Sequence, residues 1–223
     1  MPSTLWLWIF RLALLADLAA IYFQWNEVRL VSKPLIVLSL LFYFIQQSGV
    51  TRSFSRMAVG ALMLSLMGDI ALLFEDRNRI FFMLGLGSFL LAHVLYIITF
   101  LIIRRQSRPP LRWSWIIAVL AYLLILLYML MPFLGELKIP VVTYAVVLCA
   151  MLLSVVHAFR NPYSRPGVIC VAGALLFVIS DSVLAINKFH TGFPLAGIVI
   201  MLTYGFAQYM LVTGLVKHSM PNR

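Results

Sequence analysis

Three aspartates stand within otherwise apolar stretches of this sequence: Asp17, Asp69 and Asp181. An ionised carboxylate at the centre of a lipid bilayer costs on the order of 3 kcal/mol, so such residues face other helices or a wet cavity. Two buried carboxylates in different surroundings can act as a pair, one protonated and one ionised. Alternatively, each only hydrogen-bonds a neighbouring helix. We expect a function for Asp69 and Asp181, and both alternatives stay open for Asp17, which Arg11 or Lys33 could neutralise.

Further polar side chains in apolar stretches could support these carboxylates. His93 and Tyr96 are three residues apart and share a helix face, and Tyr204 and Gln208 are four apart. A buried histidine either completes a core or orients a carboxylate and shuttles a proton, and both alternatives stay open for His93. Tyr204 and Gln208 alone would only join two helices. Lys33 could meet a phosphate or extend toward the interface.

The sequence lacks the motifs of covalent, zinc-dependent or nucleotide-dependent enzymes. GxSxG, HExxH, Walker and GxGxxG patterns are all absent. Asp69, Asp181 and His93 could in principle ligate a metal, but their spacing is unrelated, so we predict neither metal nor cofactor. Cys149 and Cys170 lie in apolar runs outside any CxxC or Cys/His cluster, and we interpret both as packing residues.

Composition places these residues in a membrane. Of 223 residues, 63% are apolar and 11% charged, and the mean hydropathy is +1.02. A soluble protein of this composition would expose far too much apolar surface, so we predict one transmembrane domain over residues 1–223. The net charge of +10 comes from cations scattered through short loops. That pattern fits lipid head groups and membrane orientation, and excludes a nucleic-acid partner.

Charge and proline clusters divide the chain into eight predicted spans of roughly bilayer length. Pro34, Pro140 and Pro166 lie at or just before a predicted helix start. No basic region precedes the first apolar stretch and Arg11 interrupts it, so we expect that helix to be retained rather than cleaved as a signal peptide. The predicted spans are about 5–24, 34–48, 56–74, 80–103, 113–133, 140–159, 167–187 and 195–216.

Loop charges predict the orientation. If the N-terminus is inside, the inside segments carry ten cations and the outside segments six, which favours cytoplasmic termini. We expect a multi-pass protein of a bacterial inner membrane. The inside set is Arg52, Arg56, Arg104, Arg105, Arg108, Arg112, Arg160, Arg165, Lys217 and Arg223; the outside set is Arg29, Lys33, Arg77, Arg79, Lys138 and Lys188.

The aspartates share one depth in these spans. At 1.5 Å per residue, all three lie about 8–10 Å below the predicted outer face. The segments MGDIALLF and ISDSVLAI share small-Asp-x-x-Leu, and their aspartates, Asp69 and Asp181, are 112 residues apart. The match hints at two parallel four-helix halves, although it also arises by chance in leucine-rich sequence. The predicted fold class is an all-α bundle of about eight transmembrane helices.

Five short motifs lie in order on the predicted helices: Lys33-Pro34-Leu35, Gly68-Asp69, Ala92-His93-x-x-Tyr96, Ser180-Asp181-x-x-Leu184-Ala185 and Tyr204-x-x-Ala207-Gln208. In these motifs, from about residue 30 to 212, the sequence resembles the YhhN-type lysoplasmalogenase family of polytopic membrane hydrolases. The resemblance implies a lysophospholipid substrate, the lysoplasmalogen, whose vinyl ether is hydrolysed to a fatty aldehyde and glycerophosphoethanolamine or glycerophosphocholine. It implies no cofactor, indicates no obligate protein partner and does not extend to Asp17.

Vinyl ether hydrolysis needs an acid to protonate the β-carbon and an anion to stabilise the oxocarbenium ion, as glycosidases do with two carboxylates. We therefore expect Asp69 and Asp181 to form this pair, with their roles unassigned. The supporting residues would be His93 and Tyr96 to orient them or place water, Tyr204 and Gln208 to complete the network, and Lys33 with Arg77 or Arg79 to hold the phosphate.

Two other functions compete with hydrolysis. A proton-coupled transporter also carries intramembrane carboxylates, usually near the midplane between broken helices. Here the aspartates lie toward one face, and no proline interrupts the spans carrying Asp69, His93 or Asp181. The third alternative is a non-catalytic lipid-binding or scaffold protein, in which the polar residues only join helices.

Overall fold

The computed structural model describes residues 3–161 and 163–220, and within them the chain forms eight α-helices and no β-strand. Every helix is long and apolar enough to cross a membrane, which confirms the predicted all-α polytopic bundle. Arg223, one of the cations in the orientation count, lies outside the described residues. The helices are α1 (Ser3–Tyr22), α2 (Asn26–Ser48), α3 (Ser53–Leu72), α4 (Arg79–Ser107), α5 (Trp113–Leu130), α6 (Lys138–Val156), α7 (Arg165–Ala185) and α8 (Ala196–Ser219).

Helix α2 departs most from its predicted bounds. It begins at Asn26 rather than near residue 34, so Pro34 lies inside the helix and Lys33 does not open it. A transmembrane helix tolerates an internal proline because neighbouring groups can satisfy the freed carbonyl. The polar residues before Pro34 stay helical, and two of them, Ser32 and Lys33, are buried.

The connections divide between two faces of the bundle. The segments 23–25, 73–78, 131–137 and 186–195 lie on what we call the site face. A π-helical turn, Ile186–His190, ends α7 there. Because successive helices alternate in direction, the opposite face holds the other three connections, the start of α1 and the end of α8. There Arg52 donates a hydrogen bond to the carbonyl of Ser219 at 2.6 Å. On the same face, the Arg112 guanidinium donates hydrogen bonds to the carbonyls of Val156 and Phe159.

Two helices of the first half and their counterparts in the second half begin at the same numbering offset. Helices α2 and α3 begin at Asn26 and Ser53, and α6 and α7 begin at Lys138 and Arg165, each 112 residues later. The packing also repeats, because α3 packs on α4 as α7 packs on α8, and α2 meets α8 as α6 meets α4. Helix order and helix contacts therefore agree with the two parallel four-helix halves suggested by the aspartate spacing.

Helices α7 and α8 approach closely at a glycine. A Cβ atom added to Gly173 would lie 2.9 Å from the backbone nitrogen of Leu211 and 3.0 Å from the carbonyl oxygen of Ala207. Backbone atoms cannot yield without moving the helix, so Gly173 sets the spacing of the pair that carries much of the site.

We expect Gly173→Ala to lower the free energy of unfolding by about 1–3 kcal/mol through overpacking. Denaturant unfolding in detergent micelles measures the change. Gly87→Ala is the matched control, since no atom lies within 4 Å of its added Cβ and alanine favours a helix. Equal stability of the two variants would contradict the close packing.

Candidate active site

Asp69 and Asp181 meet at one small cavity near the site face. The cavity has a volume of about 50 Å³, which is room for a few water molecules. Its walls combine two carboxylates and a lysine with aromatic and aliphatic side chains, a setting in which charges interact strongly. The lining residues are Lys33, Asp69, Leu72, Phe82, Leu86, Phe89, Tyr144, Ser180, Asp181, Leu184, Ile200, Met201 and Tyr204.

Asp69 is the carboxylate with a cationic partner. It is 1% exposed, and its Oδ1 lies 4.0 Å from Nζ of Lys33, which is also buried. Its other oxygen, Oδ2, accepts a hydrogen bond of 2.7 Å from the hydroxyl of Tyr204. Both carboxylate oxygens are thus engaged, one by a charge and one by a neutral donor, which is how a buried anion is stabilised.

Asp181 has a neutral partner instead. Its Oδ2 accepts a hydrogen bond of 2.5 Å from the hydroxyl of Tyr144 on α6. No lysine, arginine or histidine in the described segments forms an ion pair with it. Asp181 and Asp69 line the same cavity. The two aspartates therefore differ in their surroundings, although they stand at equivalent positions of the two halves.

A chain of hydrogen bonds runs from Tyr204 into the core. The amide nitrogen of Gln208 donates to the Tyr204 hydroxyl at 3.4 Å, and the Tyr96 hydroxyl donates to the amide oxygen of Gln208 at 2.9 Å. All three side chains are buried. Tyr96 and Gln208 therefore act on Asp69 only through Tyr204, and they do not line the cavity.

His93 lies behind the cavity wall and does not contact either carboxylate. Its ring packs edge-on against Phe177 and Tyr144, with centroid distances of 4.7 and 5.5 Å. Neither ring nitrogen meets hydrogen-bond geometry in the described part of the chain, although the Phe89 carbonyl one turn earlier lies near enough to favour a ring N–H. His93 can thus influence Asp181 only by positioning Tyr144.

Asp17 does not reach the cavity either. It is fully buried on α1 and accepts a 2.8 Å hydrogen bond from Ser32. Its ionic partner is Arg29, whose Nε lies 3.8 Å away, whereas Arg11 stacks over Trp8. Of the two cations considered as partners, neither Arg11 nor Lys33 forms an ion pair with Asp17 in the described residues; Arg29 does, because α2 extends to Asn26 and places it beside α1.

A larger polar vestibule lies directly above the cavity on the site face. Its volume is about 570 Å³, and Lys33, Leu72, Leu184, Ile200 and Met201 separate it from the cavity by lining both. The vestibule carries charges of both signs. Its charged residues are Glu27, Arg29, Lys33, Glu75, Asp76, Arg77 and Lys188.

The structure separates the two arginines that were expected near a phosphate. Arg77 lines the vestibule, with its guanidinium 5.1 Å from the Phe74 ring. Arg79 instead pairs with Glu136 at 3.0 Å in a separate exposed groove. Lys188 also lines the vestibule, and it is bound to Glu75 at 2.5 Å.

Two residues of the site escaped the sequence analysis. Tyr144 was missed because a single tyrosine in an apolar helix is an ordinary packing residue. Arg29 was missed because the predicted second helix began after it; its spacing of four residues from Lys33 was the available signal. No group of three His, Cys, Asp or Glu side chains within residues 3–161 and 163–220 is arranged to hold a metal.

Comparisons with known proteins find one matching family and several similar proteins. The sequence model described as "YhhN family" matches residues 28–215. Lysoplasmalogenase TMEM86B of Homo sapiens is 30% identical over 198 residues, which are 89% of this chain and 79% of the relative, and the Sus scrofa protein of the same name is 34% identical over 179 residues, 80% and 71%. A lysoplasmalogenase of Mycobacterium bovis is 33% identical over 162 residues, 71% of this chain and 60% of that protein.

No solved structure matches the chain. The family match covers most of the bundle, from the first turn of α2 to the last turns of α8, and includes Lys33, both cavity aspartates and the Tyr204–Gln208 pair. On the strength of that coverage, the chain belongs to the YhhN family.

Proposed function

We propose that this membrane protein is a lysoplasmalogenase that hydrolyses the vinyl ether of a lysophospholipid with Asp181 as the acid and Asp69 as the anion. The names of the relatives support the activity and give none to the transporter alternative. The observation that carries the mechanism is the unequal pairing of two carboxylates on one cavity. Lys33 balances the charge of Asp69, whereas Asp181 has only a phenol as partner.

The first step is proton transfer to carbon. The Asp181 carboxyl gives its proton to the β-carbon of the vinyl ether, which produces an oxocarbenium ion and leaves Asp181 as a carboxylate. Asp69, held ionised by Lys33, stabilises the positive charge through space, as carboxylates do in glycosidases. Tyr204, Gln208 and Tyr96 fix the orientation of Asp69.

The second step returns the proton. Water attacks the oxocarbenium carbon and gives one proton to the Asp181 carboxylate, which restores the acid. The resulting hemiacetal collapses, its hydroxyl proton ends on the glycerol oxygen, and the products are the fatty aldehyde and the glycerophospho-alcohol. The cavity has room for the water, while its volume of about 50 Å³ requires the lining side chains to move apart before the lipid can enter.

The vestibule supplies a place for the polar head of this substrate. It lies on the site face, above the carboxylates, so a lysolipid whose alkenyl chain enters the bundle would keep its head group in a polar cavity. The apolar cavity wall formed by Phe82, Leu86 and Phe89 would contact the start of the chain. A lipid with its vinyl ether just below the head group fits this two-level arrangement.

Loop charges support one orientation of the bundle. The opposite face carries the arginine-rich connections, whereas the loop carboxylates Glu27, Glu75, Asp76 and Glu136 lie on the site face. The positive-inside rule then puts both termini in the cytoplasm, as expected of a bacterial inner-membrane protein, and the vestibule on the outer side.

The reaction is tested with purified protein and two lipids, a lysoplasmalogen and its saturated ether analogue. We expect aldehyde from the first only, because the β-carbon of a saturated ether is not part of a double bond and cannot accept a proton. Asp69→Asn and Asp181→Asn should each lower kcat by about 100-fold or more, the usual contribution of a positioned acid or base. Aldehyde is measured by mass spectrometry.

Glu136→Gln is the matched control, since it removes an exposed carboxylate outside both cavities. It should turn over like the unmodified protein. Size-exclusion chromatography in detergent shows whether each variant is folded. Near-normal turnover by a folded Asp69→Asn or Asp181→Asn variant would overturn the proposed mechanism.

A further inference from the structure

We propose that Arg29, oriented by the buried Asp17, binds the phosphodiester of the substrate head group in the vestibule. The ligand's identity as a lysophospholipid rests on the proposed function, whereas the anion site itself rests on the contacts below. Asp17 would be a positioning residue, acting through Arg29.

Asp17 is a buried carboxylate that the reaction does not use. Both of its partners belong to α2, where Ser32 donates to Oδ1 and Nε of Arg29 lies 3.8 Å from the same oxygen. A carboxylate at this depth without a partner would be costly, so the three side chains form one unit. At 3.8 Å the contact is an ion pair rather than a hydrogen bond, and it turns the Nε edge of the guanidinium toward α1.

The other edge of the Arg29 guanidinium is available to a ligand. Its side chain is 29% exposed and lines the vestibule, and its two terminal nitrogens have no hydrogen-bond acceptor within the described residues. Two other vestibule cations already face a carboxylate, since Lys188 pairs with Glu75 and Lys33 lies beside Asp69. Arg77 stacks over Phe74, and no buried carboxylate among the described residues orients it. An arginine held at one edge presents a planar pair of donors that suits phosphate oxygens.

The position of Arg29 fits the length of the substrate. Arg29 and Lys33 lie four residues apart on one face of α2, about 6 Å along the helix at 1.5 Å per residue. Lys33 is level with Asp69, where the vinyl ether would lie. In an extended lysolipid the phosphate is separated from the ether oxygen by the glycerol carbons, a comparable length. A head group rising from the cavity therefore reaches Arg29 with its phosphate.

Binding of two non-hydrolysable lipids tests the site without turnover. The probes are a saturated 1-alkyl lysophosphoethanolamine and the phosphate-free 1-alkylglycerol of equal chain length, titrated calorimetrically into protein in detergent micelles. We expect Arg29→Gln to lower the affinity ratio of the first over the second by about tenfold. Arg29→Lys should restore part of the ratio, and Arg79→Gln, which removes an arginine outside the vestibule, should leave it unchanged.

Asp17→Asn separates positioning from a purely structural role. We expect it to lower the same ratio as Arg29→Gln does, and the double variant to show no further loss, because the two residues act as one unit. Equal weakening of both probes by Asp17→Asn would overturn its positioning role. If that variant does not accumulate in membranes, Arg29→Gln alone decides the proposal.

The remaining outcomes distinguish the alternatives. An unchanged ratio in Arg29→Gln, or a larger effect from Arg77→Gln, would overturn the assignment to Arg29. Displacement of the phosphate-bearing probe by inorganic phosphate at equal concentration would indicate a site for free phosphate and would overturn the assignment to a lipid head group. In a last case, the affinity ratio falls in Arg29→Gln while the unmodified protein releases no aldehyde from lysoplasmalogen. That pair of results would support the anion site and overturn the proposed function.

Discussion

The ion pair between Lys33 and Asp69 is the interaction on which the rest of the site depends. Both side chains are buried in a bundle with an apolar exterior, where either charge alone would be expensive. Each charge of the pair is compensated by the other, whereas Asp181, on the same cavity, has only the hydroxyl of Tyr144 as a partner. Helix α2 must therefore continue through Pro34 and keep Lys33 level with α3. Extension of the same helix to Asn26 also brings Arg29 and Ser32 to Asp17 and forms one wall of the vestibule.

The repeated framework explains how two aspartates reach one cavity, and the differences between the halves explain how they can act unequally. Asp69 and Asp181 occupy equivalent places in α3 and α7. Helix α2 places Lys33 beside Asp69, whereas α6 places Tyr144 beside Asp181. The position in α2 that corresponds to Tyr144 is Ser32. Tyr96 and Gln208, also equivalent, bond to each other and connect α4 to α8. The repeat thus brings two carboxylates to one cavity, and different residues at a few equivalent positions give them different partners, as the proposed acid and anion roles require.

Much of this arrangement could be predicted from the sequence, because a charge in an apolar span has few tolerable places. That constraint indicated eight helices and a common depth for the aspartates, of which Asp69 and Asp181 do line one cavity. It did not indicate neighbours across helices. His93 could have completed the core or oriented a carboxylate directly, and only the packing of α4 against α6 and α7 places it against Tyr144 and Phe177. We predicted that α2 begins at Pro34, because proline is common at helix starts, and so left Arg29 outside the helix. The helix instead begins at Asn26, since neighbouring helices can compensate for an internal proline.

The central claim is that Asp181 carries the proton in the resting enzyme and Asp69 does not. Infrared spectroscopy in H₂O and D₂O measures the protonation of each carboxyl directly. Among protein side chains only a protonated carboxyl absorbs at the carboxyl C=O stretch, and its band shifts on deuteration. The unmodified protein should show a band from a buried protonated carboxyl that disappears in Asp181→Asn and persists in Asp69→Asn. A band that persists in Asp181→Asn and disappears in Asp69→Asn would contradict the account.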